Sequence, residues 1–148
     1  MIFSRNIFSL EISQESYKAG EPNVLVPNIV KMDSNNNYSL LDDPNQTFQC
    51  STQYASPLTG LAASHDGSKI FVLCNSVLYS WDQENHYQVL NSYAGGEILP
   101  KTLVVDANNN VFATMEIGYY GGCSVAFFNA QNNYASLCFS ILQQHYPL

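Results

Sequence analysis

Three adjacent residues, Ser64, His65 and Asp66, have the side-chain types of a hydrolase triad. In a triad the serine attacks the substrate, the imidazole accepts its proton and the carboxylate orients the imidazole, so the three groups must converge in space. Neighbouring residues do not supply that geometry, because successive side chains of an extended segment point in opposite directions. The segment HDGS is instead typical of a hairpin turn, and we expect no catalytic residue.

Metal and phosphate chemistry have little support in the spacing of the relevant residues. The histidines at positions 65, 86 and 145 show no ligand spacing with one another or with the cysteines, so no zinc site is predicted. The pairs Gly95-Gly96 and Gly121-Gly122 do not follow a strand and open a helix, as a phosphate-binding loop requires. We therefore expect neither a metal nor a cofactor.

Two adjacent tyrosines offer a binding chemistry. Tyr119 and Tyr120 are flanked by glycines in the segment MEIGYYGGC, which runs from Met115 to Cys123. Tyrosine combines an apolar ring with a polar hydroxyl and is enriched at protein interfaces. We predict that Tyr119 and Tyr120 are binding residues on a mobile loop. The alternative is that they extend two strands and pack inside the protein.

The elements that must position these residues follow from an internal repeat. The segments DSNNNY, DQENHY and NAQNNY begin at Asp33, Asp82 and Asn129, and they align without a gap at separations of 49 and 47 residues. Each has Asp or Asn first, Asn fourth and Tyr sixth. Asp and Asn accept hydrogen bonds from amides two residues on, and Asn tolerates the left-handed conformation of tight turns. The alignment predicts one hairpin, repeated three times.

Each repeat also contains two earlier strand candidates. These are FSLEI with NVLVP, TGLAAS with KIFVLC, and TLVVD with VFATM. The second and third pairs are joined by HDGS and ANNN, both strong hairpin signals. No segment combines a 3.6-residue apolar period with helix caps. The sequence predicts an all-β fold with four strands in each of three repeats of roughly 48 residues.

We predict a single all-β domain over residues 1–148, with repeats at approximately 1–45, 46–94 and 95–148. The joining stretches contain Pro or Gly-Gly, which favours short connections within one domain. The third repeat is longer than the second between corresponding strands, and the tyrosine pair lies in this insertion. Insertions of repeat proteins map to loops, often on the binding face.

The second and third repeats resemble β-propeller blades of the NHL, YVTN and Kelch type. The similarity rests on GLAASHDGSKIFVLCNSVLYSWD, on LVVDANNNVFAT and on WDQENHY, although no double glycine ends the second strand as in Kelch repeats. It implies repeated four-stranded blades. Propellers close with about 4 to 8 blades, so three blades would leave open edges for a partner or a second copy to cover. The β-trefoil is the competing resemblance, because it also has three four-stranded units.

Charge and composition limit the partners. A net charge of −7, from 12 acidic and 5 basic residues, would repel the phosphates of nucleic acid and an anionic membrane surface. No stretch approaches the about 18 apolar residues of a spanning helix. We therefore expect a soluble protein with neither of those partners.

The cysteines and the first residues bear on the compartment. The four cysteines lie in apolar runs such as FVLC and SLCF, and we expect buried free thiols, with a disulfide as the alternative. The opening MIFSRNIFSLEI has no apolar signal-peptide core, which predicts a cytoplasmic location, with non-classical secretion left open.

Together these observations predict a non-catalytic protein-interaction or assembly module that binds a protein partner or associates with itself to close its open edges. The first alternative is a carbohydrate-binding, lectin-like protein, because 13% of the residues are aromatic and Asn is abundant. The second is a metal-dependent hydrolase: resemblance to propeller lactonases, which hold a metal with acids around a channel, draws attention to Asp33, Asp82 and Asp106.

Overall fold

The structure, a computed structural model, describes residues 7–13, 26–50, 59–74, 76–92, 100–115 and 124–139. These residues form eleven strands and one short 3-10 helix at Ala130–Asn132. In this part of the chain no helix is long and apolar enough to cross a bilayer. The predicted all-β class is confirmed. The strands are β1 (Ile7–Ser13), β2 (Val26–Met32), β3 (Tyr38–Leu40), β4 (Thr59–Ala63), β5 (Ile70–Cys74), β6 (Val77–Asp82), β7 (His86–Ser92), β8 (Pro100–Val105), β9 (Val111–Met115), β10 (Val125–Asn129) and β11 (Ala135–Phe139).

The strands form three antiparallel sheets, each made of strands that are consecutive in the sequence. Sheet 1 contains β1 to β3, sheet 2 contains β4 to β7, and sheet 3 contains β8 to β11. Neighbouring sheets also meet at their first strands, because β4 lies beside both β8 and β1. Within sheets 2 and 3, the four strands lie side by side in the order in which they occur in the sequence.

Sheets 2 and 3 have the four predicted strands, whereas the described residues of the first repeat form three. Val26 and Pro27, the described residues of the run NVLVP, lie in one strand with IVKM, β2, where two separate strands were predicted. Pro27 does not interrupt β2, because β3 pairs only with Val30–Met32 and leaves β2 with one neighbour, β1, at that point. Sheets tolerate proline where a strand has a free side.

Sheet 2 is the middle layer of the core and is covered on both faces. Because side chains alternate along a strand, β5 sends Phe71 and Leu73 to one face and Ile70 and Val72 to the other. The first face packs against sheet 3, and the second packs against sheet 1 and the connection that follows it. The residues that meet β5 from these neighbours are Val111, Ala113 and Phe128 on the first side, and Ile29, Leu41 and Cys50 on the second.

The prediction of free thiols is wrong for the described cysteines. Cys50 and Cys74 form a disulfide with their Cα atoms 5.7 Å apart, and Cys138 is also disulfide-bonded. The physical reason is tertiary. Cys50 is the last described residue of the segment that follows sheet 1 and packs on one face of sheet 2, which brings it within bonding distance of the last residue of β5. Cys123 lies outside the described residues.

Candidate functional site

Ser64, His65 and Asp66 belong to the hairpin turn between β4 and β5, as the sequence predicts. The Ser64 hydroxyl donates to Asp66 Oδ1 at 2.7 Å, and the amide of Ser68 donates to the same oxygen at 3.0 Å. The Ser68 amide, together with the Ser64 and Ser68 hydroxyls, lowers the pKa of Asp66 to about 2. The Ser64 hydroxyl therefore donates its hydrogen bond to the Asp66 carboxylate, which stabilises the turn, and not to the imidazole of His65.

The aspartates of the metal hypothesis also stabilise their own turns. Asp33 Oδ1 accepts the amides of Asn35 and Asn37, at 2.8 and 3.0 Å. The amide of Asn37 lowers the pKa of Asp33, and the side-chain amide of Asn110 lowers the pKa of Asp106. Within the described ranges no group of three or more His, Cys, Asp or Glu is placed to hold a metal ion.

Asp82 is the third of these aspartates, and it closes the turn between β6 and β7. Its Oδ1 atom accepts the amides of Glu84 and Asn85, at 3.0 and 2.7 Å. Desolvation alone would raise the pKa of Asp82, but the hydrogen bonds from Asn85 and Glu84 outweigh it and the pKa is lowered. The carboxylate is committed to the turn in the same way as the other two.

The turn after β2 has the same backbone conformation as the turn after β8, although the sequence alignment did not pair these two turns with each other. Both turns have the sequence Asp-x-Asn-Asn-Asn, and in both the fourth residue is left-handed: φ is 62° at Asn36 and at Asn109. The two predicted counterparts of the first turn differ, because there the left-handed conformation is at the fifth place, His86 and Asn133. The prediction of one identical hairpin is therefore wrong in its backbone detail.

A cleft of about 470 Å³ is lined by Asp42, Asp43, Pro44 and His86. The Asp43 carboxylate accepts the amides of Thr47 and Phe48, both at 2.9 Å, so it is already engaged in its turn. Among the described residues that line the cleft there is no serine, cysteine or lysine that a neighbouring base could activate.

The predicted binding residues, Tyr119 and Tyr120, lie outside the described residues. The most unusual described surface is one face of sheet 3. Val104, Phe112, Phe127 and Leu137 pair in register from strand to strand, which places them in one row across all four strands. The exposed fractions are 58% for Val104, 36% for Phe112 and 59% for Leu137. Four strands thus share a continuous apolar row that solvent reaches.

The same face continues along the last strand, where Phe139 lies two residues after Leu137 and is 57% exposed. The rings of Phe112 and Phe127 contact each other with their centroids 4.9 Å apart. We call these five residues, Val104, Phe112, Phe127, Leu137 and Phe139, the outer face of sheet 3. Isolated exposed apolar residues are ordinary, but a contiguous apolar patch marks an interaction surface.

The position of the outer face is defined by comparison with sheet 2. Phe112 is the second residue of β9, as Phe71 is the second residue of β5, and Val104 pairs with Phe112 as Ala62 pairs with Phe71. Phe71 is 0% exposed, because sheet 3 covers it. The outer face of sheet 3 therefore corresponds to the face of sheet 2 on which the following sheet packs.

Sequence reasoning missed this surface although a signal was present. The run VAFF in β10 and the run LCF in β11 are apolar at consecutive positions. Such runs are typical of strands that are covered on both faces. In the structure Ala126 and Phe128 of β10 are buried and Phe127 is half-buried, whereas β11 is exposed at most of its positions.

The described residues form an all-β structure of three antiparallel sheets with an exposed apolar face on sheet 3. No protein-family model matches the chain, and no curated protein matches it.

Proposed function

We propose that this chain is a non-catalytic protein-interaction and assembly module built from propeller-like sheets, with the outer face of sheet 3 as its docking surface. The observation that carries the proposal is the exposure of Phe112 and its row, at a place where the equivalent residue of sheet 2, Phe71, is fully covered. Burial of one Phe or Leu side chain is worth about 1.5–3 kcal/mol, so a partner that covers this row gains several such terms.

The arrangement of the sheets supports propeller-like units. Each described sheet is a meander of consecutive strands, and no described strand pairs with a strand of another sheet. The first strands of neighbouring sheets lie side by side, with β4 between β1 and β8. In a propeller the blades are arranged in this way around a central channel. These features favour blades over the trefoil.

The carbohydrate alternative loses part of its motivation, because several aromatic side chains serve the core. The ring of Phe48 stacks on Tyr87 with centroids 4.7 Å apart and meets Tyr79 edge-on at 5.0 Å. These rings pack against the same cluster as Ile70 and Val72. These three rings therefore contribute to the core, and we do not assign them to a sugar-stacking surface.

The disulfides support a different compartment from the predicted cytoplasm. Cys50 and Cys74 are both buried and bonded, and disulfides persist in oxidising surroundings while they are rare in the cytosol. We propose that the module works outside the reducing cytosol.

Carbene footprinting with mass spectrometry tests the docking surface. The labelling of Phe112 and Leu137 is compared between cells that express the chain and dilute purified protein, with exposed Val89 on β7 as the reference. A docking surface predicts lower labelling of both residues in cells and unchanged labelling of Val89. Equal labelling of all three residues in both samples would contradict the proposal.

A further inference from the structure

We infer that the occupant of the outer face of sheet 3 is sheet 1 of a second copy of the chain, and that two copies close a ring of six sheets. This inference rests on the proposed function. It adds the identity of the partner and of the partner's contact surface.

The counterpart surface is the face of sheet 1 that points away from sheet 2. Ile29 packs toward sheet 2, so its neighbour Val30 lies on the opposite face, together with its cross-strand partner Leu40. Met32 and its partner Tyr38 lie on this face as well. Tyr38 and Leu40, on the edge strand β3, are 72% and 60% exposed, whereas Val30, on the middle strand β2, is only 9% exposed. We call these four residues the outer face of sheet 1.

The two outer faces have opposite places in the stack. Sheet 1 packs on one face of sheet 2, and sheet 3 packs on the other. Among the strands that the structure describes, no sheet follows sheet 3 and none precedes sheet 1. If sheet 3 of one copy contacts sheet 1 of a second copy in the way that sheet 2 contacts sheet 3, then sheet 1 of the second copy covers Phe112 and its row.

Two copies are sufficient for closure. Each copy contributes three sheets, and the outer face of sheet 3 of each copy meets the outer face of sheet 1 of the other. Six sheets lie within the about 4 to 8 blades with which propellers close. A two-fold axis satisfies both contacts, so the assembly ends at two copies and does not grow into a fibre.

The chemistry of the two faces suits this contact. The nine named residues of the two faces are uncharged, so none of them places an unpaired charge in the contact. The unfavourable term is the net charge of −7 on each copy, which acts between whole molecules over a longer distance. Because salt screens such repulsion and leaves apolar contacts in place, we expect the dimer to strengthen as ionic strength rises.

Sedimentation equilibrium of the purified chain tests the inference with two charged variants, Leu137→Lys on the outer face of sheet 3 and Leu40→Glu on the outer face of sheet 1. The wild-type chain is expected at twice its mass of 16.5 kDa. Each variant alone is expected as a monomer, because both contacts of its dimer would bury a charge. Mixed together, the variants are expected to form a dimer with one wild-type contact and one Lys–Glu contact.

The control is Val89→Lys, which alters an exposed aliphatic residue of sheet 2 and is expected to leave the dimer intact. All three substitutions are at exposed sites, and circular dichroism confirms that each variant folds. A wild-type chain that is monomeric at every concentration would overturn the inference, as would a dimer that survives both charged substitutions or a mixture that stays monomeric. If the wild type is monomeric but Phe112 is protected in cells, the docking surface stands and a different partner occupies it.

Discussion

Phe71 and Phe112 occupy the same place in two sheets of the same topology, yet one is fully buried and the other is 36% exposed. Each follows a hairpin turn as the second residue of the second strand. The strand that carries each residue does not account for the difference. Phe71 has sheet 3 against it, whereas no sheet among the described residues packs on Phe112. A residue's local position thus fixes which face it occupies, and the neighbouring sheet decides whether that face is core or surface.

The largest expected effect comes from truncating these two rings. Phe71→Ala is expected to lower the free energy of unfolding by about 3–5 kcal/mol, because it opens a cavity between sheets 2 and 3. Phe112→Ala in dilute, monomeric protein is expected to lower it by less than about 1 kcal/mol, because a surface substitution leaves no cavity. Urea unfolding measures both variants. Similar losses for the two variants would show that the outer face is already covered in the monomer.

The other face of sheet 2 is fastened covalently, and removing that link is the next largest effect. The double variant Cys50→Ala, Cys74→Ala is expected to lose about 3.5 kcal/mol, the chain-entropy value for closing a loop of this size. The two cysteines are separated by 24 residues. Thermal unfolding of the variant and the wild type, both without reductant, measures the loss. An unchanged midpoint would mean that the connection after sheet 1 is held by packing alone.

A smaller effect is expected where sheets 2 and 3 are joined by a hydrogen bond. Asn91 Nδ2 donates to the carbonyl oxygen of Tyr134 at 2.6 Å. In sheet 3 the equivalent place is occupied by Phe139, because Leu78 pairs with Asn91 as Val125 pairs with Phe139. Asn91→Ala is expected to lower the free energy of unfolding by about 1 kcal/mol. Gln88→Ala, at an exposed site of the same strand, is the matched control and should have no measurable effect.

The smallest expected effect on stability comes from the aspartates in the two turns that precede Phe71 and Phe112. The pKa values of Asp66 and Asp106 are lowered by hydrogen bonds in the folded protein, to about 2 for Asp66. Each carboxylate therefore stabilises the fold above its unfolded pKa of about 4, and this contribution is lost as the pH falls through the lowered value. Asp66→Asn and Asp106→Asn should both lower the melting temperature at pH 7. The deficit of Asp66→Asn should shrink as the pH approaches 2, and a deficit that is constant with pH would contradict the assignment.

Local signals predicted much of sheets 2 and 3 and little of what covers them. The runs KIFVLC and VFATM, with the turns HDGS and ANNN before them, correctly placed β5 and β9. The break predicted between NVLVP and IVKM was wrong, because Pro27 lies where β2 has a neighbour on one side only. The prediction of free thiols failed because the approach of Cys50 to Cys74 depends on how a connection crosses a sheet. A local apolar run can indicate that a strand is covered, but it does not identify the segment that covers it.

The candidate surface shows the same division. The consecutive apolar residues of VAFF predict that both faces of β10 are covered, and Phe128 is indeed buried against sheet 2. They do not reveal that Phe127 and its row have no covering sheet among the described residues. The tyrosine pair at positions 119 and 120, predicted as the binding residues, stays a prediction.

The most direct measurement of the central claim is the carbene labelling of Phe112 and Phe71 in the purified wild-type chain across a wide range of protein concentration. We predict that labelling of Phe112 falls as concentration rises, because sheet 1 of a second copy covers it, while Phe71 remains unlabelled throughout. Labelling of Phe112 that stays equally strong at every concentration would contradict the claim that a second copy completes the stack.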